Sequence, residues 1–152
     1  MSQPLTVQNT ITIDAPAAKV WEILTNPEQT VKYMFGCKVI TDYQPGHPMV
    51  WQSTYEGHDT IYVTGTVITY MYLKQLAYTI FDLFSTDDNI PANYLTVTYS
   101  LTEDNGHIQL KITQGDYRQV PNGQQRYNQA ITEGGWESIL EKIKILAEEI
   151  AW

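Results

Sequence analysis

The 152-residue chain is 43% hydrophobic, 17% charged and 12% aromatic, which suits one domain over residues 1–152 and excludes disorder, collagen and coiled coil. Nine basic against 17 acidic side chains leave a net charge of −8, so phosphate backbones and anionic membranes are repelled. The lone cysteine, Cys37, allows no internal disulfide and points to a reducing, cytoplasmic setting; no leader is expected at Met1-Ser2-Gln3-Pro4, and no run approaches the ~20 apolar residues that span a bilayer.

Leu5 to Ile13 reads as a strand with Leu5, Val7, Ile11 and Ile13 on one side. Asp14 is placed to cap a helix opening at Pro16, whose apolar face carries Val20, Trp21 and Leu24. Asn26-Pro27 stops that helix and begins a second short one, which Gly36 ends. Cys37 to Asp42 and Met49 to Thr54 are strands separated by the turn Gln44-Pro45-Gly46-His47-Pro48.

Four strands with clear alternation follow. Thr60 to Tyr70 puts Ile61, Val63, Gly65 and Val67 on one face; Tyr72 to Phe81 groups Leu76, Tyr78 and Ile80. Tyr94 to Thr102 groups Leu95, Val97, Tyr99 and Leu101, and His107 to Gln114 groups Ile108, Leu110 and Ile112, joined by the turn Glu103-Asp104-Asn105-Gly106. Apolar on one side and Thr-rich on the other describes an antiparallel sheet with one covered face. From about Gln124 to Ile150, Ile131, Trp136, Ile139, Leu140, Ile143, Leu146, Ala147 and Ile150 fall on one helical stripe. At ~1.5 Å per residue that span is a helix of roughly 40 Å. Gly134-Gly135 within it has two readings: the helix starts after Gly135, or the backbone there closely approaches the sheet or a ligand.

The order predicts an α+β fold: a curved seven-stranded antiparallel sheet wrapped around a long C-terminal helix, with two short helices after strand one. Seven strands at about 4.8 Å make a sheet roughly 30 Å wide, whereas a helix is about 10–12 Å across. One helix cannot cover a flat apolar face of that width. Either the sheet curls and leaves an internal apolar cavity, or the bare area buries in a homodimer.

This order resembles the helix-grip superfamily of START lipid-transfer domains, pollen-allergen-like proteins and polyketide cyclases. Within it the chain is similar to the heat-shock-protein-90 ATPase activator homologue family. The resemblance rests on Ile11-Thr12-Ile13-Asp14-Ala15-Pro16 with Val20-Trp21 and Leu24, on Asn26-Pro27-Glu28, and on Gly65-Thr66-Val67 with Leu76 and Tyr78. Gly135-Trp136 with Ile139-Leu140 and Ile143 completes it. It implies the fold just described. Its range of functions implies ligand binding, cyclase or aromatase chemistry, or a chaperone as partner.

The inward positions are Val, Leu, Ile, Tyr and Gly, so neither an acid–base pair nor an activated nucleophile is visible, and no catalytic residue is identified. His47, His58 and His107 lack zinc spacing, and His58 with Glu56 and Asp59 reads as a solvated loop, so no metal or cofactor is implied. Cys37 reads as an inert core thiol. The aromatics are the stronger signal, because Tyr and Trp join an apolar body to one polar handle. The expected ligand-binding set is Trp21, Tyr33 and Phe35 from the short-helix lid, Trp51, Val67, Tyr78 and Tyr99 from the sheet, and Trp136 and Leu140 from the helix. The expected partner is a small hydrophobic or aromatic molecule. The competing readings are a cyclase-like enzyme with Asp82, His58, Lys74 or Arg118 turned inward, and a chaperone co-regulator.

Overall fold

A computed structural model describes residues 3–149. The period-two segments form β1 (Val7–Ile13), β2 (Lys38–Ile40), β3 (Pro48–Tyr55), β4 (His58–Met71), β5 (Gln75–Asp82), β6 (Leu95–Asp104) and β7 (His107–Gly115). They make one antiparallel sheet in the order β1-β7-β6-β5-β4-β3-β2. Two short helices, α1 (Ala17–Thr25) and α2 (Pro27–Thr30), follow β1, and α3 (Gly123–Thr132) and α4 (Glu137–Glu148) close the chain. The expected α+β helix-grip arrangement is therefore present.

Strand β1 docks on β7 with Val7 opposite Gln114 and Ile13 opposite Ile108. Cross-strand rows then run over the covered face. One is Val7, Gln114, Val97 and Tyr78; the next is Asn9, Ile112, Tyr99 and Leu76. Val97 and Tyr78 of the first row bury together with apolar residues of the second row and with Ile139, Leu140, Ile143 and Ala147 of α4 in one core.

The C-terminal stripe is not one continuous rod. It divides at Gly134-Gly135, and both readings of the pair hold. Helix α4 starts after Gly135, and Gly135, at φ +60°, lies so close to β1 that a Cβ would stand 2.5 Å from Asn9 Oδ1 and 2.7 Å from Val7 Cγ1. Asn9 fastens the break: its amide nitrogen donates to Gly134 O at 3.2 Å, and its oxygen accepts from Trp136 N at 2.9 Å. The expected Ile150 lies outside the described residues.

Two local expectations are corrected. Asp14 does not cap α1. Extended Pro16 precedes the first turn, its carbonyl accepts from Lys19 N at 3.0 Å, and Asp14 N donates to Glu148 instead. Ile61 does not share the inner face with Val63; it is exposed. Trp51 pairs with Val63 and Gln52 with Ile61, so Tyr62 is an extra residue that reverses the alternation. A second bulge between Val67 and Thr69 turns Tyr70 inward, where its hydroxyl accepts from Trp21 Nε1 at 3.1 Å.

Between these bulges β4 crosses β5 at Gly65, where a Cβ would stand 1.6 Å from Thr79 O. Backbone cannot move aside as a flexible side chain can. Gly65→Ala is expected to cost about 2–3 kcal/mol in urea denaturation. Gly106→Ala, with no neighbour within 4 Å of its Cβ, should cost only the left-handed penalty of about 1 kcal/mol. Equal losses at the two sites would show that the crossing is not tight.

Candidate functional site

Over the row Val7, Gln114, Val97 and Tyr78, beside Ile139 in the first turn of α4, opens a cavity of about 340 Å³. Trp51, Val63 and Ile80 extend its floor across β3, β4 and β5. Ala130 of α3, Glu133 just past its end, and the break residues Gly135 and Trp136 form the opposite wall. Met34, Phe35 and Cys37, from the segment between α2 and β2, close a third side. Tyr117 stands at the end nearest α3. The cavity exists because the helical layer is broken: α4, at about 18 Å for its twelve residues, grips only part of the sheet.

Of the nine predicted ligand-binding residues, Phe35, Trp51, Tyr78 and Trp136 line this cavity. Phe35 stands at the rim, 81% exposed and in the left-handed region at φ 54°. Tyr99 is behind the lining, edge-on to both Tyr78 and Trp136. Tyr33 is fully buried and donates to Ile23 O at 2.9 Å. Trp21 packs edge-on against Tyr70, and Val67 and Leu140 belong to the solid part of the core. His58, Lys74, Asp82 and Arg118 are all exposed.

Sequence reading missed two polar groups on the inner face. Asn9 shares the parity of Val7 and Ile11, and Gln114 that of Ile108, Leu110 and Ile112. Polar residues in an apolar register were the available signal. Gln114 Oε1 accepts from Trp136 Nε1 at 3.0 Å, and its amide nitrogen donates to the Tyr117 hydroxyl at 3.0 Å. An indole nitrogen can only donate, which fixes the orientation of the amide.

Burial governs the titration of the site. Desolvation raises Tyr78 well above an ordinary phenol, with neighbouring Tyr99 adding to the effect; Tyr99 is also raised by burial. Tyr117 is raised by burial, against opposing effects of Arg126 and Gln114. These side chains are therefore neutral phenols, hydrogen-bond donors and acceptors, across physiological pH. Among the described lining residues Glu133 carries the formal charge, at the rim, where it accepts from Gln129 at 3.1 Å. A second hollow of about 470 Å³ lies behind Val63, Ile80 and Gln114 and is polar, with Asp82, Asn93 and an Asp87–Arg126 pair at 3.8 Å. No cluster of metal-ligating side chains occurs among the described residues, and no helix there is long and apolar enough to cross a membrane.

The family model described as Activator of Hsp90 ATPase homolog 1-like protein matches residues 14–148. No curated protein matches the chain. A protein from Cytophaga hutchinsonii, solved in solution, is 31% identical, with 95% of this chain and 94% of that one covered at a TM-score of 0.73. A crystal structure of a protein from Mesorhizobium loti is 26% identical, covering 97% and 99% at a TM-score of 0.73. The Aha1 dimer from Colwellia psychrerythraea shares the fold at 13% identity, covering 97% and 98% with a TM-score of 0.68.

Cys37 gives the site a built-in reporter, because burial raises its thiol above the usual value. The thiolate is the reacting species, so iodoacetamide alkylation should be slower at pH 8 than that of a free cysteine peptide. The rate should still be climbing at pH values where the peptide has levelled off. Alkylation as fast as the peptide's at pH 8 would show an exposed thiol.

Proposed function

The chain belongs to the Activator of Hsp90 ATPase homolog 1-like protein family, and from that premise we propose that it is a binding protein for a small apolar or aromatic molecule. One observation carries the reading: a cavity of about 340 Å³, within the size range of small-ligand sites, opens between the sheet and the helix break. Its walls combine Val, Ile, Met and Ala with Phe35, Trp51, Tyr78, Tyr117 and Trp136. Such a lining favours a flat apolar guest and gives it a few polar points of orientation. A reducing cytoplasm suits its single buried thiol.

A second reading, co-regulation of a chaperone ATPase, draws on the family description alone. The two separate cleanly. A binding protein should gain thermal stability from apolar aromatics such as naphthalene derivatives, by about 2.7 kcal/mol at a hundredfold excess over Kd. Trp51 and Trp136 fluorescence should change with them. Ala130→Phe, which fills the cavity from α3, should weaken that binding more than tenfold while melting no lower than the parent. A stimulated chaperone ATPase, with no response to any apolar aromatic, would reverse the ranking.

A further inference from the structure

Counting hydroxyl hydrogens in the cavity narrows its ligand, on the footing that it is a small-molecule site. Tyr78 and Tyr99 are each 1% exposed, and their hydroxyl oxygens lie 2.5 Å apart. Two hydroxyls hold two hydrogens, and their mutual bond uses one. Neither oxygen has another partner among the described residues. If Tyr99 donates to Tyr78, the unused hydrogen is that of Tyr78, the member that lines the cavity.

Tyr117 repeats the pattern from the other end. It is 5% exposed, lines the cavity and accepts from Gln114, but its own hydrogen meets no acceptor among the described residues. Tyr117 thus ends a donor chain that runs from Trp136 through Gln114, and Tyr78 ends a second one when a ligand acceptor draws its hydrogen and Tyr99 becomes the donor of the pair. Among the tyrosines packed away from the cavity, Tyr70 also only accepts, from Trp21, whereas two others find acceptors. Tyr33 donates to Ile23 O, and Tyr43 donates to Thr25 O at 2.6 Å. A buried donor without an acceptor is costly, and a ligand oxygen relieves that cost. Along a chain, each bond also polarises the next.

We infer that the cavity takes a neutral aromatic compound bearing a carbonyl-type oxygen, which accepts the hydroxyl hydrogens of Tyr78 and Tyr117. Neutrality follows from the charges. No Lys, Arg or His lines this cavity among the described residues, Glu133 stands at its rim, and the chain carries −8 overall. A buried carboxylate would have no cationic partner there. Arg126, in the adjoining hollow, is occupied by Asp87 and by the face of the Tyr117 ring.

The test is a matched series titrated by tryptophan fluorescence on the whole protein: acetonaphthone, ethylnaphthalene and naphthoate. The ketone should bind about five- to tenfold tighter than the hydrocarbon, the scale of one or two neutral hydrogen bonds, and the acid weakest. Tyr78→Phe and Tyr117→Phe should each reduce the ketone's advantage several-fold and leave the hydrocarbon unchanged. The carbonyl stretch of bound acetonaphthone should fall in frequency relative to the ketone in an alkane. Equal affinity for ketone and hydrocarbon, or a tighter acid, overturns the inference and leaves the apolar site standing. The parent-protein comparison decides this even if neither variant folds. Failure of all three to bind removes both the inference and the site.

Discussion

The clamp of Asn9 on the Gly134–Trp136 break shapes everything that surrounds the cavity. A carboxamide in an otherwise apolar strand register would be a liability unless both its ends were satisfied. Here it answers one carbonyl and one amide of a chain segment that has left helical geometry. The Trp136 amide is a group the break leaves without a helical partner, and Gly134 O, which also accepts from Glu137 N, gains a second donor. Gly135 makes the approach possible, since any side chain there would strike β1. The clamp sets where α4 begins, and therefore which sheet rows are gripped and which are left open.

The sheet supplies the matching curvature. Seven strands cannot fold around a helix of twelve residues while staying flat, and the register irregularities of the sheet fall in the two pairings of β4. Its two bulges and the tight crossing at Gly65 turn one edge of the sheet toward the helices. The same bulges reassign faces: Tyr70 enters the core under Trp21, while Ile61 and Ile68 are left outside. Curvature, clamp and cavity are thus one geometrical solution to covering a wide apolar face with a narrow rod.

Much of this was legible in the sequence, and the failures share a cause. The strands, the hairpin at Asn105-Gly106 and the two short helices follow from alternation and turn chemistry, which are local. The helix break follows from a contact between residues 9 and 134, so the Gly pair alone supported two readings equally. Ile61 was assigned by strict alternation, and a single extra residue in a bulge defeats that rule without marking the sequence. The aromatic set divided for a similar reason. Trp51, Tyr78 and Trp136 reach the cavity, while Trp21, Tyr33, Val67 and Leu140 fill the core, because which rows α4 covers is decided by Asn9. Gln114 continued a visible register, but its value lies in the bonds to Trp136 and Tyr117 that only folding creates.

A wholly apolar hollow would accept any guest of the right size, since burial of hydrocarbon is nondirectional. Discrimination needs polar groups whose requirements are unmet until the guest arrives, because leaving them unpaired penalises every other molecule. The fold creates that condition. The indole of Trp136 is set over the cavity by the same break that Asn9 holds, and its only donor is spent on Gln114, whose amide gives one of its two hydrogens to Tyr117. On the opposite wall the Tyr78–Tyr99 pair is sealed by α4 and the second sheet row, so no solvent-exposed acceptor competes for its hydrogen. The position of one helix break therefore decides both how large the hollow is and which hydrogen-bonding groups reach it, so a shift of the break along the chain would alter capacity and selectivity together.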